Sequence, residues 1–239
     1  MMPEPTTDTE NIPCLEVATA VYAPGCEERV LLGARLRALL AASFKTPCIS
    51  MEVHTSTHDV QHDRMLLYKI EWQNEQHLAE FVTSEKSMKN FAIFLPFVAP
   101  DSYQVTRWTR DHAFEQIEHS HAKKIEKDDV DRRRTRNRPT YAFSIVALAK
   151  IEKVAEYSQY LHILRARALS EAGCLECEVY RGIDENIRNQ FLVYGLFESE
   201  EKYKQQEARL QNTLFGFDAL KMTDGIPRLM TWKKMPEYK

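Results

Sequence analysis

Two stretches of the chain alternate apolar and polar positions in nearly the same way. In "CISMEVHTS", from Cys48, residues Ile49, Met51 and Val53 alternate with Ser50, Glu52 and His54; in "CLECEVYRG", from Cys174, residues Leu175, Cys177 and Val179 alternate with Glu176, Glu178 and Tyr180. Period-two alternation marks a strand with one apolar face, and the two stretches lie 126 residues apart (174 − 48). The offset runs without a gap from Val17–Tyr68 to Phe143–Tyr194, setting Ala23 against Ala149, Glu52 against Glu178, Leu66 against Leu192 and Tyr68 against Tyr194. After one deletion Trp72 falls opposite Phe197 and Asn74 opposite Ser199; after another, Trp108 falls opposite Trp232.

The rest of each copy is patterned to match. The opening strands "LEVATAVYA" and "YAFSIVALA" are rich in small and β-branched residues. The stretches "CEERVLLGARLRALLAASF" and "KVAEYSQYLHILRARALSEAG" predict one-sided helices, the second with Val154, Tyr157, Leu161, Leu164 and Ala168 along one face and a stop at Gly173. "MLLYKI" and "FLVYGL" are apolar nearly throughout, as in a sheet covered on both faces. Asn74 and Ser199 suit the N-cap of the last helix in each copy. Strand, helix, strand, strand, helix, strand, written twice, predicts an α+β chain of two ferredoxin-like (βαββαβ) plaits. The expected bounds are a disordered tail at 1–13, a first domain at 14–108, a charged linker at 109–139 and a second, degenerate copy at 140–236.

Composition narrows the function classes. The 239 residues, 44% hydrophobic, can bury a substantial core. A formal charge of -3, from 32 basic and 35 acidic residues, provides no global field for nucleic acid or an anionic membrane. With no signal-like start and no long apolar run, the expectation is a cytoplasmic protein with neither membrane nor nucleic-acid partners. Five scattered cysteines suit reduced thiols rather than a disulfide framework.

Against this background, "LLYKIEWQNEQHLAEFVTSEKSMKNF" resembles the hallmark segment of the antibiotic biosynthesis monooxygenase family. There a strand ends in Glu-x-Trp or a near variant, and a following helix carries a Ser about twelve residues on, matched here by Trp72 and Ser84. "YAPG" at Tyr22–Gly25 and "AGCLECEV" before the second strand resemble two further family features. The resemblance covers about Cys14–Trp108 and, more weakly, Tyr141–Lys233. It implies a dimeric α/β-barrel, here an intramolecular pseudo-dimer made by one chain, with further self-association left open. It also implies a small apolar or aromatic ligand held between helices and sheet, and cofactor-independent oxidation of quinol-like or polyketide-like substrates by molecular oxygen. The seven glycines include no pair with the spacing of a dinucleotide or phosphate loop, in keeping with no cofactor. The heme-degrading branch is disfavoured, since Ala18 and Val82 stand where its Asn and His would. A non-catalytic small-molecule-binding or partner-binding member of the fold is the rival reading.

The candidate pocket falls in the first half, lined by Trp72, Leu78, Phe81, Val82, Met88 and Phe91, because the second copy's last helix, "EEKYKQQEARLQNTLFGF", has far fewer apolar residues and reads as structural. Catalytic candidates are Trp72, His54 at the cavity edge and His77. His54, His58 and His62 recur every four residues, but in a hairpin rather than a helix, so no metal site is expected there. His112, His119 and His121, and the arginines at 132, 133, 134, 136 and 138, read as parts of a solvated linker. Cys174 and Cys177 are three apart on a strand, which puts them on opposite faces.

Overall fold

The computed structural model describes residues 12–57, 65–111 and 141–235. His58, His62, the three histidines and five arginines of the charged segment, and most of the proposed tail and linker lie outside these residues. In chain order the first half comprises β1 (Cys14–Val21), α1 (Glu27–Ala42), β2 (Ser50–Ser56), β3 (Met65–Trp72), α2 (Glu75–Val82), α3 (Glu85–Phe94) and β4 (Gln104–Arg110). The second comprises β5 (Tyr141–Leu148), α4 (Val154–Ser170), β6 (Cys174–Gly182), β7 (Gln190–Phe197), α5 (Glu200–Leu214), α6 (Phe217–Met222) and β8 (Arg228–Lys234).

The caps are where the sequence places them. The Asn74 side chain accepts the His77 N–H at 2.9 Å, and Ser199 accepts that of Lys202 at 3.3 Å. Ser84 lies between two helices rather than within one, and its hydroxyl caps α3 by accepting from the Ser87 N–H. The expected one-sidedness holds for α4 but not α1, which leaves Leu32, Leu36 and Leu39 exposed. Ile49 precedes β2 and is exposed rather than part of an apolar strand face.

Each half orders its strands as a ferredoxin-like plait, β4-β1-β3-β2 and β8-β5-β7-β6, and the two sheets close into one eight-stranded barrel. Closure occurs at two short antiparallel seams, His54–Ser56 of β2 on Trp232–Lys234 of β8, and Trp108–Arg110 of β4 on Tyr180–Gly182 of β6. Among the described residues, no helix is long and apolar enough to cross a membrane.

The pairings correct the sequence alignment. Cys14 faces Trp72 and Thr109 as Tyr141 faces Phe197 and Lys233, while Met51 faces Ile70 as Cys177 faces Gly195. Corresponding positions therefore lie 127 residues apart in the first strands (141 − 14), 126 in the second (177 − 51), 125 in the third (197 − 72) and 124 in the fourth (233 − 109). A gapless offset of 126 slips the first and third strands by one residue, and such a slip exchanges the two faces of a strand. Tyr68 and Tyr194 are thus not equivalent: Tyr68 belongs to the first half's helix-side core and Tyr194 to the barrel interior, where its counterpart is Lys69. A β-bulge between Cys174 and Glu176 similarly undoes the face assignment of the two cysteines, which both join the second half's helix-side core.

The barrel interior is apolar around Trp108, Trp232, Leu15, Leu67 and Leu192, but β2, β3, β6 and β8 also bring charge into it. Lys69 donates to Glu176 at 2.8 Å, lies 3.8 Å from Glu52 and sits 4.0 Å over the Tyr194 ring. Glu52 also takes Lys234 at 2.6 Å and the Tyr194 hydroxyl at 2.7 Å. His54, fully buried, reaches Tyr194 Oη with Nε2 at 3.1 Å and lies 3.5 Å from Glu52, so it belongs to this hub and not to a cavity edge. Burial acts against the Glu52 charge, yet Lys69, His54 and Lys234 together hold its pKa well below the carboxylate range. Burial holds the His54 pKa below its ordinary 6.5 despite the pull of Glu52.

That shift has a definite sign. As pH falls below about 6.5 the unfolded chain takes up a proton at this histidine and the folded chain does not, so stability drops until the folded pKa is reached. Glu52 adds a loss of the same sign at lower pH, below the ordinary carboxylate value of 4.5. The urea midpoint is expected to fall between about pH 7.5 and about pH 5.5, and His54→Gln to flatten that fall. Equal slopes in parent and variant would assign the dependence to other groups.

Candidate functional site

The residues singled out in the sequence separate in the structure. Trp72, Leu78 and Phe81 are buried together under α2, with the Trp72 and Phe81 rings 4.9 Å apart and the Trp72 Nε1–H left without an acceptor. Phe91 is half-buried on α3 and packs on Tyr103 at 4.9 Å. Val82 and Met88 face outward and do not converge with the others. His77 sits half-buried in the first turn of α2, and His54 is on the other side of the sheet, inside the barrel.

Beside Trp72 and Phe81 lies a polar cluster that the sequence reading missed. Glu16 on β1, 1% exposed, receives Arg37 Nη2 from α1 at 2.9 Å and the Tyr68 hydroxyl from β3 at 3.1 Å, both on Oε1. Arg37 Nη1 donates to Ser87 Oγ on α3 at 3.0 Å, and its guanidinium lies 5.1 Å from the Phe81 ring centre and 5.5 Å from that of Tyr68. The Tyr68 hydroxyl hydrogen-bonds that of Tyr103, which is half-buried where β4 begins. A chain of hydrogen bonds thus runs from the partly exposed Tyr103 through Tyr68 to a buried carboxylate.

Two atoms of the cluster are buried without a partner, Glu16 Oε2 and Arg37 Nε, and Asn90 Oδ1 on α3 is a third nearby. Burial, reinforced by Glu16, pushes the Tyr68 pKa well above the ordinary phenol value, so Tyr68 is a neutral donor. Burial opposes the charge of Arg37, but Tyr68 and Glu16 outweigh it and keep the guanidinium protonated. Cys14, two residues before Glu16 on the same face, has its thiol pushed up to about 12 chiefly by burial.

The second half shows that the fold does not need these polar groups. By the pairings above, Glu16 corresponds to Phe143 (16 + 127) and Tyr68 to Val193 (68 + 125). Helix α1 buries Val30, Ala34, Arg37 and Ala41 at the spacing with which α4 buries Tyr157, Leu161, Leu164 and Ala168, so Arg37 corresponds to Leu164. The carboxylate, guanidinium and phenol of one half are apolar in the other. Gly195 makes room for the Phe143 ring, since a Cβ there would lie 2.1 Å from it.

The second half differs in a further way. A cavity of about 440 Å3 opens over Phe197 between α4 and α5, lined by Leu164, Ala168, Leu210, Arg167 and Gln206 among others. The half whose sparse apolar pattern reads as structural therefore carries a cleft. Among the described residues, no group of three or more His, Cys, Asp or Glu could hold a metal ion.

No family model and no curated protein matches the sequence. Solved structures do match the fold over nearly its whole length. One is a protein named as a monooxygenase from Fusobacterium nucleatum subsp. nucleatum, with TM-score 0.67 and 12% identity over 94% of this chain and 93% of that one. Another is an anthrone oxidase-like protein, with TM-score 0.67 and 12% identity over 95% and 93%. A variant chlorite dismutase from Candidatus Nitrospira defluvii matches with TM-score 0.56 and 12% identity over 96% and 93%. The chain has the dimeric α/β-barrel fold of these proteins, with both halves of the barrel in one polypeptide.

Proposed function

We propose that the protein oxidises a small, electron-rich aromatic substrate, of the quinol or anthrone type, with molecular oxygen at the helix-sheet interface of its first half. The observation that carries this reading is Glu16: a buried carboxylate with one oxygen held by Arg37 and Tyr68 and the other unpartnered, at a position where the second half has phenylalanine. Replacing a buried ion pair by apolar residues is often neutral or stabilising, so a pair present in only one half calls for a reason other than stability. The anthrone oxidase-like protein of the same fold adds support at the level of reaction class.

The chemistry needs little from the protein. Glu16 Oε2 accepts the proton of an enolised anthrone or a phenol, and the resulting anion donates an electron to oxygen. For an anthrone the sum is a methylene and O2 giving a carbonyl and water. The substrate supplies all four electrons, one oxygen atom enters the ring ketone, and the other leaves as water with both methylene hydrogens. Arg37 balances the carboxylate, Tyr68 and Tyr103 return the proton towards solvent, and the half-buried Phe91, packed on Tyr103 at 4.9 Å, offers the ring that orients a flat substrate.

A second reading, a non-catalytic member of the fold that binds a partner instead of a small molecule here, is favoured by the close packing of Trp72 on Phe81. Oxygen consumption with a panel of anthrones and quinols separates the two. Uptake above buffer is expected, lowered about a hundredfold or more in Glu16→Gln and about tenfold or more in Tyr103→Phe, whose rim position spares the core. No uptake above buffer across the panel, together with no calorimetric binding of the same compounds, would favour the second reading.

A further inference from the structure

We infer that the second-half cleft is a separate binding site for a small aromatic hydroxy acid. Its origin can be traced residue by residue. Phe197 takes the place of Trp72, and counting from the matched N-caps Asn74 and Ser199, the seventh residue of the helix is Phe81 in the first half and Gln206 in the second. Where Phe81 sets a ring 4.9 Å from Trp72, Gln206 lines a cleft of about 440 Å3 between α4 and α5. That size suits a small-molecule site.

The lining decides the chemistry of the ligand. Leu164, Ala168 and Leu210 line the apolar inner side of the cleft, and Phe197 lies at its base, fully buried with the Tyr203 ring 5.7 Å away. Gln206 Oε1 is buried with no hydrogen-bond partner, and an unmatched buried acceptor favours a ligand that brings a donor such as a hydroxyl. Two guanidinium groups border the cleft. Arg209 is engaged by Glu171 at 3.1 Å. Arg167, one turn of α4 from Glu171 and next to Ala168, is on the solvent side of the cleft and supplies the remaining positive charge. With one carboxylate against two guanidinium groups, the site carries a net positive charge that selects an acid over its neutral amide. Ser170, Asn212 and Thr213 complete a polar rim.

The site does not depend on the proposed oxidation, since none of its residues touches the Glu16 cluster. Calorimetry with 6-hydroxy-2-naphthoate and the neutral 2-naphthamide tests it directly. The acid is expected to bind one per chain and more tightly than the amide, with Arg167→Gln weakening the acid about tenfold and leaving the amide unchanged. Gln206→Phe, which restores the first-half residue, is expected to abolish binding of both while keeping or raising the thermal midpoint. Absence of binding to the parent at millimolar acid would overturn the assignment, as would full affinity in folded Gln206→Phe. Should Gln206→Phe fail to fold, an acid affinity unchanged in the surface variant Arg167→Gln would overturn it equally.

Discussion

An ammonium group enclosed in a β-barrel cannot stay unpaired, because an isolated charge in a low-dielectric interior costs many kcal/mol. Lys69, 4% exposed, meets that requirement with a partner from the other half of the chain, Glu176, and Lys234 of the second half does the same with Glu52 of the first. Tyr194 adds a ring beneath Lys69 and a hydroxyl to Glu52. These contacts cross between the halves, whereas the backbone seams that close the barrel register only three residue pairs each. The hub therefore makes closure specific: a slipped seam would strand buried charges instead of merely losing hydrogen bonds. Corresponding positions hold unlike groups, Lys69 against Tyr194 and His54 against Tyr180, and this complementarity is open to one chain but not to two identical ones.

With the interior committed to joining the halves, the outer faces are free to differ. Both bury helices on a sheet, yet one face places Glu16, Arg37 and Tyr68 where the other places Phe143, Leu164 and Val193. The exchange also runs the other way at Phe81 and Gln206, filling one side and opening the other. Each half has given up apolar packing at one place and retained it at the place where its sister gave it up. Divergence of this kind fits two sites of different chemistry better than one working site beside a worn copy.

The plait order, the caps at Asn74 and Ser199 and the pairing of Trp108 with Trp232 were legible in the sequence because they rest on local patterns. The face assignments were not. Letter matches such as Tyr68 with Tyr194 favoured a gapless alignment, and only hydrogen-bond register shows that the two point to opposite sides of the barrel wall. The Glu16–Arg37 pair escaped because its members lie 21 residues apart on different elements. A signal was present all the same: Glu16 shares its strand face with Cys14, Ala18 and Ala20, and Arg37 lies on the helix face of Val30, Ala34 and Ala41, so each is one charge in an apolar row. The cleft could not be read at all, since the sparse apolar pattern of α5 is equally that of a solvated helix; what distinguishes it is that Gln206 and Leu210 line a cavity shared with α4.

The central claim is that the Glu16–Arg37 pair serves chemistry rather than the fold. Removing either partner alone confounds the two, because an uncompensated buried charge costs about 3–5 kcal/mol. The direct measurement is oxygen uptake, with the best substrate of the panel, by the double variant Glu16→Leu, Arg37→Leu, in which both charges are gone and the space stays filled. The account predicts a protein at least as resistant to urea as the parent, with uptake no faster than buffer. A folded double variant that consumes oxygen at the parental rate would contradict it.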